Sequence, residues 1–138
     1  MSFDLIKLDA KTLSMTGKPM KIFHPRSAQP IVDDAGQEVT ITLKGKYSDE
    51  YKAAMRVVSD RARDRAARGV QITPEENKRE EVDILTAVTV GWTFDQLGGV
   101  PFPFTPENAR VLWSDERFAW VFEQATRFAA NDGNFLAI

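Results

Sequence analysis

The residues able to do chemistry are few. The chain has one histidine, His24, and no cysteine. An imidazole can serve as a general base or a metal ligand. The lack of cysteine excludes a thiolate nucleophile, a Cys-ligated metal and a disulfide framework. No acidic pair flanks His24 in sequence, so a structural or exposed histidine is the expected role. The partners of a Ser-His-Asp site would meet only in the fold, but no nucleophile-elbow motif is present. Glu75, Glu76, Glu80, Glu81 and Asp83 are the right residue types for a hard cation. Their spacing does not match a calcium loop. They fall in the first turns of an expected helix, where acids stabilise the dipole, and a solvated helix start is the expected role. Asp33-Asp34 and Asp115-Glu116 read as a turn and a helix start. No catalytic, cofactor or metal site is expected, and no enzymatic activity.

Two further features could bind phosphate. Residues 44–68 hold eight basic and four acidic side chains, with Arg56, Arg61, Arg63, Arg65 and Arg68 on one helix. A nucleic-acid-binding helix has this kind of charge. Asp60 and Asp64 interrupt the patch, and Asp64 with Arg68 forms an i,i+4 pair. Residues 75–83 carry five acids and two bases. Two helices joined by the short link at 69–73 would lie antiparallel and partly neutralise one another. Pairing within the protein or with another protein is therefore expected over nucleic acid. Gly98-Gly99 lacks the spacing of a phosphate loop and is followed by Pro101 and Pro103, so it reads as a turn before a Pro-braced segment.

The aromatic residues are the strongest signal. Ten of the fourteen lie at or after Trp92. Most are expected in the core. Trp120 breaks the stripe set by Phe118, Val121 and Phe122, and Phe102 and Phe104 alternate with prolines on an expected loop. Aromatics that a helix or loop cannot bury are the usual anchors of interfaces. Trp92, Phe94, Phe102, Phe104, Trp113 and Trp120 are the candidate partner-binding residues.

These residues need elements to position them. Residues 1–30 are interrupted by Gly17, Pro19, Pro25 and Pro30, and read as loops or an arm with a short strand at 20–23. Residues 31–32 and 38–43 alternate β-branched and polar residues about Gly36, a hairpin signal. Ser48 caps a first helix with a narrow stripe of Tyr51, Met55, Val58 and Ala62, ended by Gly69. Thr73-Pro74-Glu75-Glu76 opens a second helix. At 84–90, helix and strand compete, and helix is favoured because no breaker follows the capped start. Thr105-Pro106 starts a short helix reaching residue 112 or 113. Ser114-Asp115-Glu116 starts the last helix, with Phe118, Val121, Phe122, Ala125, Phe128 and Ala129 at helical spacing and Gly133 past its end. The fold class is α+β, mainly α-helical, with a short N-terminal hairpin region packed on about four helices. Residues 1–46 form the arm and hairpin region and residues 47–138 the helical domain, together one compact unit.

The chain has 138 residues and a formal charge of −2. That length favours one domain with an adequate core. The charge provides no global attraction for nucleic acid or anionic membrane. No signal peptide or apolar run of membrane-spanning length is read. A soluble, cytoplasmic-type protein is expected.

Residues 41–51, Ile-Thr-Leu-Lys-Gly-Lys-Tyr-Ser-Asp-Glu-Tyr, resemble the strand, glycine and capped helix of small tail proteins of long-tailed bacteriophages. Residues 90–94, 100–109 and 118–135 resemble the tail assembly chaperone family of those phages. The resemblance spans roughly residues 40–135 and rests on a pattern of ordinary residues; Tyr47 stands where the family usually has Asp. It implies a non-enzymatic assembly factor that holds the tape measure protein, recruits major tail tube subunits and self-associates. Such a factor acts in the host cytoplasm and is absent from the mature virion. Many family members also have a longer form made by frameshifting, which here would fall near residues 131–138. No binding residue of the family carries over by motif. The alternatives are a structural tail-completion or connector protein of the virion and a nucleic-acid-binding helical domain.

Overall fold

A computed structural model describes residues 2–136. The chain is α+β and mainly helical. Five helices are assigned among the described residues: α1 (Ala10–Thr16), α2 (Asp49–Ala67), α3 (Pro74–Val88), α4 (Pro106–Ser114) and α5 (Ala119–Ala130). Three strands, β1 (Lys18–Lys21), β2 (Thr40–Leu43) and β3 (Thr89–Trp92), form an antiparallel sheet in the order β1-β2-β3. A small hairpin, β4 (Gln96–Leu97) and β5 (Val100–Pro101), stands apart. No helix among the described residues is long and apolar enough to cross a membrane.

Strand β2 is central, and its alternation sets the layers. Ile41 and Leu43 are fully buried while Thr40 and Thr42 are half-buried. This is the period of a strand with one covered face. Met20 and Ile22 extend that inner face. It packs against Val82, Leu85 and Val88 of α3, Leu112 and Trp113 of α4, and Val121, Phe122 and Ala125 of α5 in one cluster. The core therefore crosses residues 46 and 47 without a break.

The expected turn at Gly36 is present. Gly36 has φ +80°. Asp33 Oδ1 accepts from the Ala35 and Gln37 N–H groups, and Val32 bridges Glu38. Residues 40–43, however, pair with β1 on one side and β3 on the other.

Three local readings are corrected. Residues 10–16, read as arm, form α1, because Asp9 accepts from both the Thr12 N–H and hydroxyl and caps a short helix. Residues 84–90 are not all helix. Helix α3 ends at Val88, where the Thr89 hydroxyl bonds the Leu85 carbonyl and the chain turns extended. Its β-branched continuation then pairs with β2, so tertiary pairing decides the contest between helix and strand. The last α-helix starts later than Ser114. Asp115 caps a 3-10 turn over Glu116–Phe118, and α5 begins at Ala119.

Helix α2 starts and ends as expected, but only half of its expected stripe is covered: Tyr51 and Val58 are half-buried, while Met55 and Ala62 are exposed. The buried Ser48 hydroxyl accepts from Tyr51 N–H and donates to the Gly45 carbonyl. At the other end Gly69, φ +66°, puts its N–H on Ala66 O and that of Val70 on Arg65 O, a Schellman cap. Thr73 and Glu76 form a reciprocal capping box at the start of α3.

Candidate partner-binding surface

Trp92 leaves the end of β3 and organises the first part of the surface. Its ring stacks with Phe94 at 4.8 Å and with Phe102 at 5.4 Å, and meets Phe104 edge-on at 5.2 Å. Its indole N–H donates to the Phe102 carbonyl. Such pairs contribute roughly 0.5–1.5 kcal/mol each beyond area burial. The β4–β5 hairpin makes this stack. Gly98 and Gly99 have φ +62° and +80°, both in the left-handed region. Two positive φ angles are what a tight type I′ turn requires. The hairpin returns the chain so that Phe102 N–H reaches the Asp95 carbonyl. Asn108 then donates to the Pro103 carbonyl, and Thr105 caps α4 through Asn108 N–H. The Pro-braced segment is thereby fixed under Trp92.

Beside this stack lies an apolar groove of about 220 Å³. Phe94 and Leu97 form one part of its wall, Phe118 and Trp120 another, and Ile31 and Val39 come from the N-terminal hairpin. All six are partly buried and pack on the core. At the Phe118 end, Asp115 takes three hydrogen bonds from the Arg117 guanidinium. Those side-chain bonds, with the Arg117 backbone N–H, hold the Asp115 carboxyl below its usual range.

The six candidate aromatics divide. Trp120 and Phe94 line the groove. Trp92 and Phe104 are half-buried and support it from the stack. Phe102 and Trp113 are corrections: both are buried, at 9% and 1% exposure. The Trp113 N–H is used by the Thr89 hydroxyl at 3.0 Å, as a buried indole requires. Neither presents surface to a partner in this conformation. Sequence reasoning missed Ile31, Val39 and Leu97. The apolar pair flanking the Gly36 turn was visible, but the groove they close joins elements up to ninety residues apart, which no local pattern encodes.

The other singled-out residues have structural partners. His24 Nδ1 faces the Arg26 N–H at 3.1 Å and accepts from it, closing a turn. Glu80 is buried and takes Arg65 at 2.9 Å. Asp83 on α3 holds Arg61 of α2 and Arg110 of α4. The antiparallel neutralisation of α2 by α3 is thus present, as is the Asp64–Arg68 pair at 2.8 Å. Among the described residues, no group of three or more His, Asp or Glu is placed to hold a metal ion.

The molecule is thus an α+β protein, mainly helical, with an apolar groove walled by partly buried aromatics. No protein-family model, characterised protein or solved structure matches the chain.

Proposed function

We propose that this protein is a tail assembly chaperone of a long-tailed bacteriophage or prophage. It binds the tape measure protein, recruits major tail tube subunits, works in the host cytoplasm and leaves before the particle is complete. The observation that carries this reading is the groove in which Phe94, Phe118 and Trp120 stay half-exposed around an apolar floor. An apolar groove of this kind accepts the anchor side chains of an amphipathic helix. A long tape measure helix presents such anchors repeatedly, so several copies could cover it by individually weak contacts. The resemblance over residues 40–135 supports the same direction. The nucleic-acid alternative loses support, because Arg61 and Arg65 are engaged by Asp83 and Glu80.

Co-expression with the tape measure protein of the same gene neighbourhood tests the proposal. A soluble complex recovered by pull-down is the expected result, with the chain missing from purified particles. An insoluble tape measure protein and a chain retained in finished tails would favour the tail-completion or connector alternative.

A further inference from the structure

Strand β1 is an edge strand, and the antiparallel ladder fixes which of its groups are free. Ile22 N–H bonds the Val39 carbonyl, so it points toward β2. Backbone groups alternate sides along a strand. Pro19, Lys21 and Phe23 therefore point away from β2. The register agrees, since Lys21 lies opposite Thr40, and Thr40 spends both its backbone groups on Thr93. Pro19 has no N–H to leave unpaired, which suits an edge position. At Phe23 the edge is already closed by a side chain. Gln124 of α5 accepts from Phe23 N–H at 2.9 Å and donates to its carbonyl at 2.8 Å, as a neighbouring strand would. Next to this point the Lys21 N–H and C=O have no partner among the described residues.

That open stretch borders a groove of about 600 Å³ between β1 and the second half of α5. Phe23 and Phe128 supply apolar surface above the buried Met20, and Lys21, His24 and Arg127 supply the ionisable groups; no carboxylate lines it. The same chain carries a segment of complementary pattern. Phe3, Leu5 and Ile6 are 67%, 72% and 66% exposed, and Asp4 stands between the first two. An extended Phe-Asp-Leu puts both apolar side chains on one face and the carboxylate on the other. The 3-10 turn Leu5–Leu8 has no buried residue to resist this extension.

We infer that residues 2–6 of a second copy add as a fourth strand to the free edge of β1. Phe3 and Leu5 enter the groove against Phe128. Asp4 falls on the outer face with Lys21, whose present partner Glu38 is an exposed pair at 3.3 Å and so holds it weakly. The Lys21 backbone supplies the ladder bonds, the usual source of affinity in strand addition. The contact is independent of the tape measure reading and survives its failure.

Analytical ultracentrifugation of the full chain over a concentration series, with amide hydrogen exchange, tests this. Wild type should associate, and the Lys21 amide should become protected as concentration rises. The double substitution Phe3→Asp with Leu5→Asp should leave the melt unchanged and abolish association. Asp4→Lys and Lys21→Glu should each weaken association about ten-fold, because each reversal turns an attraction into a like-charge repulsion, and should restore it when combined. A monomer at all concentrations would overturn the inference. So would association undiminished by the double substitution, or a Lys21 amide protected equally at every dilution, which would make the occupant the chain's own segment.

Discussion

Helices α2 and α5 are held by opposite means. Helix α5 has twelve residues and buries Val121, Phe122, Ala125 and Ala129 in the cluster shared with the sheet, α3 and α4. Helix α2 has nineteen residues and buries none. Its contact with α3 is Tyr51 packed on the core at one end and, beyond it, Arg61 on Asp83 and Arg65 on Glu76 and Glu80. Exposed ion pairs contribute little, about 0–1 kcal/mol. The exception is Arg65–Glu80, whose side chains are only 12% and 8% exposed. Helix α2 is therefore secured at a few points: Ser48 at its base, Arg65 near its end and the Gly69 cap. Apolar burial fixes α5 along its length. The difference teaches where stability and binding can separate, because the groove is built on the rigid half while α2 adds charge outside it.

The largest expected effect falls in the rigid half. Trp113→Ala removes a fully buried indole and leaves Thr89 without its donor, and should cost about 3–5 kcal/mol, read by urea unfolding. A loss under about 1 kcal/mol would mean that the core beneath the groove is loosely packed. Arg65→Ala should cost about 3 kcal/mol, because Glu80 is left buried without its partner. Arg68→Ala, at an exposed pair, should cost no more than about 0.5 kcal/mol. Equal losses from the two arginines would erase the distinction drawn for α2. In hydrogen exchange, Arg65→Ala should also release amides of α2 and leave those of α5 protected.

Gly45→Ala tests the base of α2. A Cβ there would lie 2.5 Å from Ser14 Oγ and 3.0 Å from the Phe135 ring, joining α1, the start of α2 and the C-terminal segment at one point. A cost of about 1–3 kcal/mol is expected from overpacking, seen as a lower melting temperature. Acid titration gives the smallest effect. Glu50 is held below its usual range first by the Lys44 hydrogen bond. Asp9 is held down by the Thr12 N–H and hydroxyl. A carboxyl with a lowered folded pKa adds stability above its unfolded pKa, and that stability is lost as pH falls through the folded value. The melting temperature should therefore drop on acidification through and below the ordinary carboxylate range. Lys44→Met should flatten the Glu50 part of that drop.

Local signals made much of this fold legible. Ser48, Thr73 and Thr105 cap as their sequence contexts imply, because a cap needs only residues three positions away. The turn at Gly36 was readable for the same reason, though not the pairing of residues 40–43 with β1 and β3. The β3 strand was not, since Thr89 and Val90 follow a helix without a breaker and become a strand only by pairing with β2. The candidate site was half legible. Trp120, off its helix stripe, does line the groove. Trp113 has the same residue type and lies in the core, because α4 turns it inward onto Thr89. Residue type proposes an anchor, and the packing of distant elements decides which aromatic remains half-exposed.

Hydrogen exchange of the purified complex with the tape measure protein tests the central claim most directly. The account predicts new protection at 94–97 and 118–121, with α2 unchanged, and loss of the complex in Trp120→Ala while its cooperative melt persists. Protection confined to Asp49–Ala67, with the groove exchanging as in the free protein, would contradict it and move the binding surface to the charged helix.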